Sequence, residues 1–344
     1  MRIKIGNFNL FNLVKPNVHY YGSRKYSHTD YGKKCEWIGH QLDKMRSSIV
    51  AFQEVFHHEA LKDALSKSEF MKDAYYVTAS CDGQRPTVGI ASRYPILESE
   101  VICDFPAPLT IDGNQMPFTS FSRAVLRVEI LVETIPMTFY VTHLKSKRPL
   151  MEDGEDPHDP IDRAKGKARA LLIRSLESVA LREILVKRMR GNHSSPVVVV
   201  GDLNDSALAV TNDIMSGTPP HRRFPFEVKS KIWDVLLYAV KDIQARQSTQ
   251  DVYYTYIHNG YYGALDHLLV SQELHPKNPH RLGAVEYVKT FTDHLVDQTL
   301  SNDKIPVWMS DHGQVICSIK LYTPDKSKRE KHVKREDKTD DPQF

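Results

Sequence analysis

Acids, amides and histidines close several apolar, strand-like runs in this sequence. Asn9 follows Ile3–Ile5, Glu54 follows Ile49–Phe52, and Asp202 and Asn204 follow Val197–Val200. Asp266 lies within ALDHLLVS, Asp311 and His312 precede GQVICSI, and His143 closes TFYVTH. Strand ends gather at sheet edges, where side chains far apart in sequence can meet. Carboxylate and amide oxygens suit Mg²⁺ or Mn²⁺, which keep several waters and bind through one or two carboxylates. Asp and His beside such an ion are the groups that metal-assisted hydrolysis of a phosphoester uses. No grouping of Cys and His has the spacing of a zinc site.

Each piece alone also has a plain structural reading. Glu54 can end a strand, and G-D-x-N is an ordinary turn composition. Asp311-His312 can be a surface dipeptide, and a lone His143 can be a satisfied structural histidine. What stands out is the order along the chain: N-x-x-N, QE, SRYP, THL, GDLN, LDH and SDH.

The elements that must position these groups follow from periodicity. Strands are expected near 1–14, 47–55, Tyr75–Ala79, Thr87–Ser92, Leu97–Cys103, Ser120–Leu131, Met137–Leu144 and 195–205. Further strands are expected near Ile232–Leu236, Asp251–Ile257, Ala264–Val270, Val285–Val288 and Gln314–Leu321. Helices are expected over Lys34–Met45, His58–Lys67 and Asp162–Arg190, the last with Leu171, Leu172, Leu176, Val179, Ala180 and Ile184 as its apolar side. SPVVVVGDLND reads as a strand buried on both faces. Many neighbouring strands are joined by short turns, which points to mixed sheets with antiparallel hairpins rather than one doubly wound parallel sheet.

The 344 residues, 41% hydrophobic and 26% charged, exclude a collagen-like or wholly disordered chain. No stretch approaches the ~18 consecutive apolar residues of a membrane span. The N-terminus enters a strand at once without a signal-like apolar segment, so a cytoplasmic location is expected. Lys+Arg of 46 against Asp+Glu of 43 gives a net charge of +3, so a polyanion would have to be met by local clusters. The four cysteines, Cys35, Cys81, Cys103 and Cys317, are scattered and are expected as buried reduced thiols. Residues 1–322 are expected to form one catalytic domain, and the nearly all-charged 323–344 a disordered tail.

The stretches IGNFNLFNL (5–13), IVAFQEV (49–55), VGIASRYPI (88–96), FYVTHLKS (139–146), VVVVGDLND (197–205), GALDHLLVS (263–271) and MSDHGQV (309–315), taken together, resemble the endonuclease/exonuclease/phosphatase superfamily. The resemblance covers about residues 1 to 321. It implies an α/β fold: a four-layer sandwich of two packed mixed β-sheets flanked by helices, with the active site at one edge.

The resemblance also implies roles. Glu54 matches the principal metal carboxylate, and Asp311 a position that helps the metal. Asn9 matches the amide that supports the metal and the phosphate. Asp202 matches the acid that orients or deprotonates the attacking water, with Asn204 bonding a phosphate oxygen or the nucleophile. His312 matches the histidine facing the scissile phosphate, Asp266 the acid that holds its far nitrogen, and His143 a general acid for the leaving group. Many members carry an acid two residues after the first Asn. Here that residue is Phe11, which implies weaker metal binding through Glu54 and Asp311 and no second, tightly held ion.

The reading that follows is a Mg²⁺- or Mn²⁺-dependent phosphodiesterase, with nucleic acid as the substrate and in-line attack of water. Lys145 and Arg148 lie in a segment with Lys147, Arg163, Lys165, Lys167 and Arg169 that suits a phosphate backbone, or forms a solvated face paired with its own acids. Tyr253, Tyr254, Tyr256, Tyr261 and Tyr262 could stack bases or pack the sheet. The alternatives are a metal-dependent phosphatase or phosphodiesterase of a small or lipid phosphate, sphingomyelinase-like or inositol-phosphatase-like, and a silent binding protein on the same fold. No apolar wedge suited to a membrane surface stands out in the sequence.

Overall fold

The computed structural model describes residues 1–79, 83–206, 209–245, 253–300 and 303–322. The expected tail, 323–344, and Cys81 lie outside the described residues. In chain order the first half contains β1 (Arg2–Leu13), α1 (His28–Met45), β2 (Ile49–Val55), α2 (His58–Leu65), β3 (Tyr75–Thr78), β4 (Thr87–Ser92), β5 (Ile96–Asp104), β6 (Thr110–Ile111), β7 (Asn114–Gln115), β8 (Ser120–Val132) and β9 (Ile135–His143). The second half contains α3 (Pro160–Met189), β10 (Val197–Asp202), α4 (Val210–Ser216), α5 (Phe226–Trp233), β11 (Leu237–Ala239), α6 (Val240–Ala245), β12 (Tyr256–His258), β13 (Tyr261–Gly263), β14 (Asp266–Ser271), β15 (Gly283–Phe291) and β16 (Gln314–Leu321).

Two six-stranded mixed sheets form the body, in the orders β15-β16-β1-β2-β4-β3 and β11-β14-β10-β9-β8-β5. Ile3, Ile5, Ile49, Ala51, Val88 and Ile90 of the first sheet pack against Val128, Phe139, Val141, Val198, Val200 and Leu268 of the second. Phe8, Leu10, Val50 and Phe52 turn the other way and bury the apolar faces of α1 and α2. Val197, Val199, Tyr140 and Leu269 do the same for α3, through Leu181, Leu185 and Met189. The result is the four-layer α/β sandwich that the motifs imply.

The strand period of two positions the site. On β1 the face carrying Ile3 and Ile5 continues as Asn7 and Asn9. On β2 the face of Ile49 and Ala51 continues as Gln53, on β9 that of Phe139 and Val141 as His143, and on β10 that of Val198 and Val200 as Asp202. On β14, Leu268 and Val270 share their face with Asp266. Each strand thus trades apolar for polar residues at the same end of the inter-sheet layer.

Several local expectations need correction. α1 begins at His28 rather than Lys34, because the Ser27 hydroxyl accepts the Asp30 amide and caps extra turns. Leu171 and Leu172 are about half exposed; Leu176 and Ala180 are buried as expected, and Ala170, Ile173, Arg174 and Glu177 share their face. The strand expected at Ile232–Leu236 is displaced: α5 runs to Trp233, and β11 starts at Leu237 where pairing with β14 begins. No residue of α5 is buried, and Phe226 is 73% exposed, so the described residues do carry an exposed apolar element. Cys35 and Cys317 are buried free thiols, but Cys103 is exposed on edge strand β5. No helix among the described residues is long and apolar enough to cross a membrane.

Candidate active site

Strand register brings the polar ends together. Asp202 is the direct partner of Asp266 on one side and of His143 on the other, and Asn9 stands opposite Gln53. The approach of β10 to β9 requires glycine at 201, since a Cβ there would lie 1.9 Å from the Thr142 carbonyl oxygen.

The sheets join through side chains at this edge. Asn9 Nδ2 donates to Asp202 Oδ2 at 3.1 Å, and its Oδ1 accepts the Phe11 amide at 3.0 Å. Asn7 Nδ2 donates to Asp266 Oδ1 at 3.1 Å and is itself fixed by Gln53 Nε2 at 2.8 Å. His312 sets Nδ1 2.8 Å from Asp266 Oδ2 and Nε2 3.9 Å from Asp202 Oδ2. His143 Nε2 lies 3.5 Å from the same Asp202 oxygen. The Asn204 amide donates to Asp202 Oδ1 at 2.9 Å, while its side chain donates to Leu144 O at 3.0 Å. Asn204 does not continue the strand as expected; it takes a left-handed φ of 53° beyond the end of β10.

Burial and neighbouring charges divide these groups electrically. Burial raises the Asp202 carboxyl to about 7, with His312 opposing and Asp266 adding to the rise. Burial works against a charged His312, but Asp266, Asp202 and Asp311 overcome it and raise its pKa well above the ordinary value. Burial, Arg123 and His312 push His143 well below the ordinary imidazole range. The expected general acid is therefore a neutral ring, and its Nδ1 has no partner.

Glu54 and Asp311 form the other side of the site. Glu54 adopts a left-handed φ of 61° at a bulge in the β1–β2–β4 pairing, and Phe11 and Asn12 do likewise at 48° and 62°. Burial raises the Glu54 pKa, and Asp311 raises it further. Burial also raises that of Asp311, with His312 opposing. Asp311 Oδ1 is buried without a partner. Facing acids with an unsatisfied oxygen fit a hard divalent cation. Among the described residues, Asp202, Asp266 and His312 also offer ligand atoms within 4.8 Å of one another. Their oxygens and Nδ1 already serve Asn9, Asn7 and each other.

The basic segment divides. Lys147 pairs with Asp205, Arg169 with Glu155 and Glu152, and Lys165 with Asp162. Lys145 donates its backbone amide to Glu177, and Arg123 donates to the carbonyls of His143 and Leu144. Arg148 is exposed, and its charge acts on Tyr21 together with Arg123. The tyrosines divide as well: Tyr253 bonds Asp266 O, Tyr256 lies 4.9 Å from the His312 ring, and Tyr261 is 80% exposed.

Sequence reasoning missed Asn7, Gln53, Ser310 and Lys34. Asn7 shares its period with Asn9, and Gln53 stands in the QE pair. Ser310 opens SDH, bonding Asn9 O and accepting the His312 amide. Lys34 gave no signal.

A family model described as the endonuclease/exonuclease/phosphatase family matches residues 35–312. Comparison with curated proteins finds no match. Among solved structures, the fold is similar to a truncated TDP2 from Caenorhabditis elegans, with 12% identity, a TM-score of 0.55 and coverage of 93% of this chain and 98% of that one. It is similar to a D. rerio TDP2 complexed with single strand DNA product, with 16% identity, a TM-score of 0.53 and coverage of 93% and 99%. A mannosyl-6-phosphatase from Bacteroides thetaiotaomicron gives 15% identity, a TM-score of 0.54 and coverage of 92% and 99%. At these identities the structures speak for the fold alone, whereas the match of the family model spans most of the sequence. The chain belongs to the endonuclease/exonuclease/phosphatase family of phosphoric ester hydrolases.

Proposed function

We propose that this protein is a divalent-metal-dependent phosphodiesterase that hydrolyses a nucleic-acid backbone by in-line attack of water. The observation that carries the hydrolytic reading is the single oxygen Asp202 Oδ2, reached by Asn9 at 3.1 Å, His143 at 3.5 Å and His312 at 3.9 Å. Asp202 orients the attacking water and takes its proton. Asn9 and the Asn204 amide hold the carboxylate in one rotamer.

His312 carries its positive charge against Asp266, leaving Nε2 to donate to a phosphoryl oxygen as the pentacovalent state forms. His143, being neutral, steadies Asp202; protonating the leaving group is not its strength in this setting. Glu54 and Asp311 would hold Mg²⁺ or Mn²⁺, which when bound offsets the negative charge of the phosphate. Asn9 supports this centre from both sides, through its side-chain bonds to Asp202 and to Glu54.

Arg123, Lys145 and Arg148 favour a polymer, as cations near the site that suit phosphates flanking the scissile one. Tyr256 and Tyr21 offer aromatic faces for bases. Among structural neighbours, a TDP2 complexed with single strand DNA product supports this choice. The mannosyl-6-phosphatase keeps a small phosphomonoester as the competing substrate.

A substrate panel with Mg²⁺ or Mn²⁺ tests the proposal. It comprises single-stranded DNA, plasmid, RNA, a chromogenic phosphodiester, a chromogenic phosphomonoester, a hexose 6-phosphate and sphingomyelin, with Asp202→Asn as the blank. Cleavage of the nucleic acids and the diester, lost in EDTA, is expected. Turnover confined to the monoesters or to sphingomyelin would replace the nuclease reading.

A further inference from the structure

The side chain of Lys34, on α1, is wholly buried, 0% exposed. Its Nζ donates to Phe11 O at 3.0 Å and lies 5.3 Å from the Tyr26 ring centroid and 5.9 Å from that of Phe11. A carbonyl and two ring faces do not balance an ammonium removed from water; a buried charge needs an anion. Burial lowers the Lys34 pKa to about 8, with Glu54 and then Asp311 opposing, and Lys34 in turn lowers that of Asp311. The left-handed bulge of Phe11 and Asn12 keeps this backbone beside Glu54, whose own bulge lies across the same strand pairing.

We infer that Lys34 is a built-in cation of the metal centre, partly neutralising Glu54 and Asp311 and so limiting the site to one weakly held divalent ion. The inference rests on the assignment of Glu54 and Asp311 as the metal-holding pair. The lysine reduces the negative charge that Glu54 and Asp311 offer to a metal. Lys34 reaches Phe11 O rather than the expected substrate position, so it is a positioning residue that works through these acids.

The test is direct titration with Mn²⁺, read by loss of the free-ion electron paramagnetic resonance signal, and thermal melting in EDTA and in Mn²⁺. Lys34→Met removes the charge, Lys34→Gln removes it while retaining a donor for Phe11 O, and Lys34→Arg keeps it. The two neutral variants are expected to bind Mn²⁺ about tenfold or more tighter than wild type, because a unit charge acting on the ligand acids in a poorly hydrated site is worth at least that factor. They should melt lower in EDTA and recover in Mn²⁺ by more than wild type does, while Lys34→Arg follows wild type. A lysine that only fills space would lower melting equally with and without the ion and leave Mn²⁺ affinity unchanged, and that result overturns the inference. Glu54→Gln separates the two levels. If it does not weaken Mn²⁺ binding, the ligand assignment itself is wrong. If it does while both neutral Lys34 variants bind like wild type, only the inference about Lys34 fails.

Discussion

His312 Nδ1 lies 2.8 Å from Asp266 Oδ2, and both side chains are buried. One nitrogen of the ring is thereby committed to an anion, and the other is aimed into the site. The ring keeps its proton well above the usual imidazole range because of Asp266, Asp202 and Asp311, against the effect of burial. Asp266→Asn removes the largest of these attractions. The rate is expected to fall about 10²-fold, the lower end of what a positioned acid–base group contributes, and the alkaline limb of the pH–rate profile should move to lower pH. An unchanged alkaline limb would show that Asp266 does not set the charge of His312.

Asp202→Asn should lower the rate by about 10²–10⁴-fold and at the same time make the metal-free protein harder to melt at pH 8. The native carboxyl holds its proton up to about pH 7, whereas an unfolded one releases it near 4. Between those values the native state binds more protons, so this group's stabilisation is complete at low pH and is lost as pH rises through about 7. The asparagine variant lacks that slope. Melting curves in EDTA should show its advantage at pH 8 vanishing toward pH 4.

Gly201→Ala places a methyl carbon 1.9 Å from the Thr142 carbonyl oxygen, a backbone atom that cannot step aside without separating β9 from β10. Urea unfolding is expected to show a loss of at least ~3 kcal/mol, the range of severe core lesions. A loss below ~1 kcal/mol would mean that the strand pair yields easily.

Arg148→Glu should raise KM for a DNA or RNA oligonucleotide and flatten its salt dependence, leaving turnover of a chromogenic phosphodiester unaltered. Backbone contacts add affinity that falls with salt, and a single small ester does not reach them. Equal effects on both substrates would place Arg148 at the reacting phosphate instead.

Glu177 shows how a helix residue can support the site from behind. It lies on the buried face of α3 and accepts the Ser122 and Lys145 amides at 2.8 and 2.7 Å. Glu177→Ala is expected to lower stability by about 1–3 kcal/mol, the penalty for buried donors left unpaired. Differential scanning calorimetry would register it.

The sequence by itself determined which strands end in acids, amides and histidines. Ile3, Ile5 and Asn9, or Val198, Val200 and Asp202, alternate on a period that any β-strand imposes, so the face and the end of each strand were legible before any fold was known. The ordered motifs also implied the two-sheet architecture. Tertiary structure alone decided which atoms meet. Asp202 faces Asp266 and His143 only because of strand register, and Asn9 crosses to Asp202 only because the two sheets pack face to face. Leu176 and Ala180 of the expected α3 stripe are buried, but hydropathy could not show that Arg174 and Glu177 share the buried face, where they bond Lys145 and Ser122. Burial set the charges in the same way. The neutral ring of His143, the raised carboxyl of Asp202 and the enclosed ammonium of Lys34 depend on how much water is excluded and which charges stand nearby, and both are properties of the packed molecule.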